Sequence, residues 1–424
     1  NVGGSAITGY VATAKKTSDG TTISGTGASS PITISGLTTG SAYTVTVAAV
    51  NSFGLGVSSA ASNSVTPSEQ ELYSWGRNNV GQLGLGDTVY RSSPVQVGAL
   101  TTWSQIAGGE YHTTATKTDG TLWSWGTNGS GSLGLNDTAN RSSPVQVGSL
   151  TTWSQIANGN GHSLAIKTNG TLWSWGLNLF GKLGLNDTYS RSSPVQVGSL
   201  TTWYQVAAGN NFTIATKTDG TLWSWGRNQN GQLGLGYASS GRSSPVQVGA
   251  LTTWYQITAG AYHTVATKSD GTLWSWGLNN RGQLGLGDTA DRYSPVQIGA
   301  LTTWSKISAG DYHTVATKTN GTLWSWGRNN VGQLGLGNSG AYTYRSSPVQ
   351  VGVLTTWSQI AGGQRHTLAI KTDGTMWSWG VNTYGSLGLN DAANRSSPVQ
   401  VGALTTWLTL PKMPNSGSGL AISS

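Results

Sequence analysis

The sequence predicts an all-β protein: a seven-bladed β-propeller with four-stranded blades and a split closing blade, preceded by part of a β-sandwich. Three observations carry this. A unit of about 50 residues recurs, with a Ser-Trp-Gly segment whose Trp falls at 75, 125, 175, 225, 276, 326 and 379, and a Leu-Thr-Thr-Trp segment whose Trp falls at 103, 153, 203, 254, 304, 357 and 407. Each unit holds four short stretches of strand character divided by Gly-rich and Asp-Gly turns, and none has helical periodicity. Units of this kind cannot bury a face alone, so they stack on their neighbours and close into a ring.

Residues 1–67 come first. Ile7-Thr8-Gly9-Tyr10-Val11 alternates as a strand, and 44–51 and 63–67 read as closing strands. Leu37-Thr-Thr-Gly40-Ser-Ala-Tyr43 has the pattern of a tyrosine corner. These segments resemble the end of a fibronectin type III module. The resemblance implies a sandwich lacking its first two strands, roughly 25–30 residues. The polypeptide is therefore expected to continue upstream, or to receive those strands from a partner, making the propeller part of a longer chain or assembly. Residues 68–70 read as a linker, and 71–424 as the propeller.

Within one unit the strands are Pro-Val-Gln-Val (94–97), Trp-Ser-Gln-Ile-Ala (103–107), His-Thr-Thr-Ala-Thr-Lys (112–117) and Thr-Leu-Trp-Ser-Trp (121–125), taken in that order. Asp-Gly or Asn-Gly between the last two supplies the positive φ of a tight hairpin. All 20 tryptophans fall on three repeat positions, with Tyr73 at one of them in the first unit, which marks them as packing residues. The chain closes on Leu-Ala-Ile-Ser-Ser (420–424), which matches the third strand, and the repeats open on Glu71-Leu-Tyr-Ser-Trp75, which matches the fourth. The seventh blade is thus expected to be shared between the two ends, leaving no free sheet edge.

The segments Gly109…His112, Asp119-Gly120…Trp125-Gly126-x-Asn128 and Gly81-Gln82-Leu83-Gly84 resemble the repeat signatures of the RCC1 (regulator of chromosome condensation) family, in register across 71–424. The resemblance implies a seven-bladed propeller. Relatives in that family include a nucleotide-exchange factor and a secreted enzyme inhibitor.

Charged residues make up 9% of the chain, against roughly 25% in an ordinary soluble protein. A surface built from Ser, Thr, Asn, Gln and Gly suits an extracellular, cell-surface or virion-associated protein. There is no cysteine, so disulfides and thiolate chemistry are excluded. No apolar run approaches the ~20 residues of a membrane span, so no membrane insertion is expected. The net charge is +8, yet 13 of the 23 basic residues sit on two repeat positions: Arg91, Arg141, Arg191, Arg242, Arg292, Arg345 and Arg395, and Lys117, Lys167, Lys217, Lys268, Lys318 and Lys371. Five of those arginines follow an aspartate four residues earlier, which predicts local ion pairs. An even ring is not the basic stripe that nucleic acid requires, so nucleic-acid binding is disfavoured.

No residue is singular enough for catalysis. His112, His162, His263, His313 and His366 share one repeat position, where Phe212 stands in another unit. Asp119, Asp219, Asp270 and Asp373 share a turn position with Asn169 and Asn320, and an amide preserves a turn but not acid–base work. The Gly-Gln-Leu-Gly runs lack the helix and Lys of a phosphate loop. No enzymatic activity, cofactor or metal is expected.

Antiparallel alternation sorts the loops onto two faces. One carries Gly-Ala-Leu-Thr-Thr and Lys-Thr-Asp-Gly-Thr, nearly identical in each unit. The other carries the loop before the histidine and the long loop after Trp-Gly, and there the units differ. Close-packed positions cannot vary freely whereas loop tips can, and Arg, Tyr and Phe are the usual anchors of interfaces. The candidate partner-binding residues are Arg77, Tyr111, Phe180, Arg227, Tyr262, Arg281, Tyr312, Arg328, Tyr342, Tyr344, Arg365 and Tyr384. Tyr111, Tyr262 and Tyr312 recur at one position, which also fits a structural role. The expected function is a non-enzymatic binding or structural module, displayed extracellularly or on a phage particle, that recognises a protein or glycan through this variable face. The alternative is a regulator of an enzyme, inhibitor-like or exchange-like.

Overall fold

The computed structural model describes residues 5–424 except 31, 33, 35, 39, 68, 342 and 412–415. Position 68 of the expected linker and the candidate Tyr342 therefore lie outside the described residues. The chain divides into two compact units, Asn1–Gln70 (with Ser424) and Glu71–Ser423.

The first unit is one antiparallel sheet of β1 (Ile7–Lys16), β2 (Thr22–Gly27), β3 (Tyr43–Asn51) and β4 (Gly54–Leu55), in the order β2-β1-β3-β4. Tyr43 is buried, and its hydroxyl accepts the Thr38 amide at 3.0 Å, forming the tyrosine corner. Beyond β4 the chain follows β3 irregularly: the Ser59 and Ser62 amides donate to Val47 O and Val45 O at 2.8 and 2.9 Å, and among the described residues a single isolated bridge, Tyr43–Val65, forms. Serines explain the interruption. The Ser59 and Ser62 hydroxyls accept the amides of Val47 and Val45, which a regular fifth strand would have used for its ladder.

The second unit is seven four-stranded antiparallel sheets. In the first blade the strands are Trp103–Gly108, His112–Lys117, Leu122–Gly126 and Arg141–Gln146, hydrogen-bonded in sequence order. The next blades span 153–196, 203–247, 254–297, 304–350 and 357–400. The phase differs from the sequence expectation. The Pro-Val-Gln strand is the fourth of its sheet, pairing Val145 with Ser124 and Gln146 with Trp123, rather than the first of the next. The long loop after Trp-Gly thus stays within its blade, and Gly-Ser-Leu-Thr-Thr crosses to the following one. As a sheet edge this strand tolerates Pro144, which has no N–H to give, and a register shift between Arg141 and Val145 absorbs the ring. Neither loop changes face.

Closure follows the expected split. Trp407–Thr409 and Ser418–Ser423 pair with Glu71–Gly76 and Arg91–Gln96 in one sheet, with Ala421 opposite Tyr73. The Trp-first strands of successive blades lie against one another, and Gln256 Nε2 donates to Ser305 O of the next blade at 2.7 Å. The core sits between blades. Ala107, Leu122 and Val147 of the first pack on Trp153, Ile156 and Trp175 of the second. In every blade the three aromatic positions meet edge to face, as Trp103 does with Trp123 at 6.1 Å and Trp125 at 6.0 Å.

The signature residues hold the loops. Asn128 accepts the Leu133 amide on Oδ1 at 2.9 Å and donates Nδ2 to Asp137 O at 3.0 Å, pinning both ends of the long loop. Trp125 Nε1 donates to Gln82 O of the preceding blade at 3.0 Å. At Gly120, φ is +78° and a Cβ would lie 2.1 Å from Thr151 O, so only glycine fits the turn.

Candidate binding face

Most charges of the ring have an architectural partner. Arg91, Arg141, Arg191 and Arg292 each donate to the aspartate four residues before at 2.5 Å, and Arg395 pairs likewise with Asp391. Asp87 is held below the usual carboxylate range, first by the Val89 amide and then by Arg91. Where the long loop has an extra residue the acid is replaced: Arg242 donates to the Tyr237 hydroxyl at 2.6 Å and lies 5.3 Å from its ring. The six recurring lysines do not face solvent as a basic ring. Each Nζ sits between two tryptophans, as Lys268 does at 3.5 Å from Trp274 and 5.2 Å from Trp254, and desolvation lowers the pKa of Lys268. In the closing blade Ser423 occupies that position and Tyr73 replaces the second Trp.

Four of the five histidines are struts between blades, each bonding through Nε2 to a hydroxyl of the next one; His366 has no partner on either ring nitrogen among the described residues. Ser163 Oγ donates to Ser132 O at 2.9 Å, so it accepts from His112 Nε2 at 2.9 Å, and the ring carries its proton on Nε2. Burial pushes the histidines down, to about 4 for His112 and about 3 for His263 and His313, so they are neutral near pH 7. Phe212 keeps the shape without the bond. Turn aspartates and asparagines act alike: Asp119 Oδ1 accepts the Thr121 amide at 2.9 Å, and Asn169 Oδ1 accepts that of Thr171 at 3.1 Å. Among the described residues no group of three or more His, Cys, Asp or Glu could hold a metal. Three grooves of about 450, 560 and 380 Å³ are lined by equivalent residues of three blades, including Trp254, Trp357 and Trp304, so they belong to the repeat rather than to a singular site.

What remains is on the variable face, where the ring geometry gathers most of the candidates into two clusters. Arg77 donates to the Tyr111 hydroxyl at 3.3 Å, lies 4.7 Å over its ring, and is 5.4 Å from Tyr384, which meets Tyr90 edge to face. The second cluster crosses four blades. Arg227 lies 5.3 Å from Phe180 and 5.7 Å from Tyr262, Tyr262 lies 5.8 Å from Tyr312, and Arg328 lies 5.6 Å over Tyr312. Burial, then the like charges of Arg365 and Arg281, lowers the Arg328 pKa, which places those two arginines beside it. Arg281 is exposed. Tyr344 is exposed too, and no ring contact among the described residues joins it to either cluster.

Three charged residues of this face are absent from the sequence-based candidates. Lys182 is fully buried, and burial holds its amine down to about 7. Its Nζ donates to Asn160 O (2.7 Å), Asn210 O (3.3 Å) and Asn211 Oδ1 (3.0 Å). In the Gln units the equivalent Oε1 accepts the amide two residues earlier, as Gln283 does from Arg281 at 2.8 Å. Lys cannot accept, and its loop instead forms a 3₁₀ turn with Phe180 at φ 64°. Asp311 has an enclosed Oδ1 with no partner among the described residues, and burial with the nearby charge of Glu110 raises its carboxyl well above the usual range. The signal was a lone Lys in a column of Gln and Ser, and lone acids before the ring position.

The family model described as the regulator of chromosome condensation (RCC1) repeat matches residues 69–116, 119–166, 169–216, 219–267, 270–317, 320–370 and 373–408. The chain belongs to the RCC1 repeat family. The fibronectin type III domain model matches residues 2–65. This RCC1-repeat chain is 35% identical over 137 residues to the ultraviolet-B receptor UVR8 of Arabidopsis thaliana, covering 32% of itself and 31% of the receptor. It thus spans about a third of that relative's length. Among solved structures it resembles human WBSCR16 (TM-score 0.74, 21% identity, 84% of this chain and 99% of that one). It also resembles Prp20p of Saccharomyces cerevisiae (TM-score 0.73, 23% identity, 84% and 91%), described with its binding properties to Gsp1p and histones. These likenesses establish the propeller fold.

Proposed function

We propose that this RCC1-repeat protein is a non-enzymatic recognition module, displayed extracellularly, at a cell surface or on a virus particle, that binds a protein or glycan through the variable loop face. One observation carries the reading. Arg77, Arg227, Arg281, Arg328 and Arg365 stand on that face in no ion pair among the described residues, while five of the seven periodic arginines are matched by aspartates. A rigid ring that leaves its singular arginines unmatched beside Tyr and Phe presents the side chains that dominate interfaces. That Prp20p is described as binding Gsp1p and histones supports a protein as the partner class. The low charge of the whole chain supports display outside a cell.

The test applies the labelled chain to glycan arrays, protein arrays and intact cells or particles. It compares the exposed-aromatic variant Phe180→Ala/Tyr384→Ala with an opposite-face variant, Leu251→Ser/Leu301→Ser. The first should lose the signal and the second keep it. A signal lost only in the second, or none on any surface, defeats the proposal.

A further inference from the structure

We propose that the occupant of the variable face is an acidic polypeptide segment whose carboxylates are received by Arg227, Arg281, Arg328 and Arg365. This rests on the recognition reading above and names its partner chemistry.

The first argument is where the excess charge lies. Once arginines paired with aspartate and lysines seated on tryptophan are set aside, four of the five unmatched loop-tip arginines, Arg227, Arg281, Arg328 and Arg365, lie on one arc of one face, across the third to sixth blades, while Arg77 stands apart with Tyr111 and Tyr384. Arg281 and Arg365 are near enough to Arg328 to disfavour its charged form. Like charges held together by a rigid scaffold repel, and an anion relieves that repulsion. Asp311, beside Arg328 and Arg365, offsets this only in part: it is enclosed, and burial with the charge of Glu110 pushes its carboxyl toward the neutral form against the pull of those two arginines. Among the described residues Arg281 reaches only Asn280 O at 3.3 Å with its guanidinium, Arg365 Nε has no partner, and Arg227 Nε has only the neutral Gln229 Oε1 at 2.9 Å. Fork-shaped donors in this state match carboxylates bidentately.

The second argument decides among anions. Sugar recognition needs an open ring face, but Tyr262 and Tyr312 are engaged by Arg227, Arg328 and each other. Nucleic-acid affinity is built from phosphate contacts spread along a basic stripe. This arc supplies four arginines, and Glu110 stands on the same face, close enough to Asp311 to raise its carboxyl. A short run of Asp and Glu side chains fits that number, and Arg flanked by Tyr is the composition of a protein hot spot.

The experiment measures fluorescence anisotropy of a labelled oligo-glutamate peptide with the full chain. An oligo-glutamine of equal length, a heparin oligosaccharide and a single-stranded oligonucleotide serve as competing probes. Oligo-glutamate should bind, weaken as salt rises, and outcompete the other three. Arg281→Gln, an exposed single change, should weaken it about tenfold, the scale of one charge-assisted hydrogen bond. The Arg227→Gln/Arg281→Gln/Arg328→Gln/Arg365→Gln variant should abolish it with the circular dichroism unchanged; if that variant unfolds, the single change decides. Arg141→Gln, whose partner is Asp137, should have no effect. Absent oligo-glutamate binding, tighter oligonucleotide or heparin binding, or equal losses from Arg141→Gln and Arg281→Gln overturn the inference. If Phe180→Ala/Tyr384→Ala still abolishes array binding while oligo-glutamate fails, the carboxylate inference falls and the recognition face stands.

Discussion

Replacing Lys182 with Gln tests whether a buried amine is held at a cost inside the ring. Lys182 is fully enclosed, its pKa is about 7 against an ordinary value of 10.5, and burial is the principal cause. The protonated form is therefore disfavoured in the folded state. Below pH 7 both states bind the proton and the penalty is complete. Between pH 7 and 10.5 the folded protein releases it while the unfolded chain keeps it, so stability rises with pH; above 10.5 the penalty is gone. The shift corresponds to about 5 kcal/mol at most, since each pKa unit is worth about 1.4 kcal/mol. The Gln variant lacks this dependence and regains an acceptor for the Phe180 amide, as Gln283 has for Arg281. Against that, Asn160 O, Asn210 O and Asn211 Oδ1 lose their donor. Urea unfolding at pH 6, 8 and 10 should show the wild type gaining several kcal/mol relative to Lys182→Gln as pH rises, because groups shared by both proteins cancel. Parallel pH dependences would refute the argument.

Three further outcomes are expected. Gly120→Ala, with a Cβ 2.1 Å from Thr151 O, should cost more than about 3 kcal/mol or prevent folding, whereas Gly148→Ala, with nothing within 4 Å at φ +63°, should cost about 1 kcal/mol; thermal melts compare them. His263→Phe, which installs the ring that Phe212 already places at this position in another blade, should lose about 1 kcal/mol at pH 7 with the bond to Thr314. It should also resist acid better, because a histidine lowered from 6.5 to about 3 forfeits stability as pH falls through that window; an acid titration followed by Trp fluorescence reads this. Lys217→Met should lose about 1 kcal/mol, nearly independent of salt, because Nζ lies 3.6 Å from Trp223 in a largely desolvated seat; unfolding at low and high NaCl distinguishes it from a surface ion pair.

Much of what repeats was legible from residue order. The recurring Trp segments specified the blades, the matching ends specified closure, and Asp-x-x-x-Arg spacing specified the ion pairs, each found in the sheets and side-chain contacts. Strand phase was not legible, because Pro-Val-Gln-Val borders two sheets and only the hydrogen bonds of Val145 and Gln146 assign it. The seats of the recurring lysines were not legible either, because the tryptophans that hold Lys268 come from different strands, Trp254 and Trp274. Singular residues were hardest. Lys182, Glu110 and Asp311 lie on different blades, and their mutual influence arises only where the ring brings loop tips together.

The interleaved final sheet bears on synthesis. Residues 71–76 are made early, yet their neighbour across the ladder is 418–423, so the ring stays incomplete until nearly the whole propeller has emerged from the ribosome. Until then the Glu71–Gly76 strand has a bare hydrogen-bonding side, and Trp75 lacks the Trp407 ring it later meets at 6.3 Å. Such a nascent chain exposes a template for pairing with another copy, and contacts so distant in sequence form slowly. Shortening the chain before residue 418 would make that transient condition permanent, and aggregation during translation, rather than a merely lower melting temperature, is the consequence to look for.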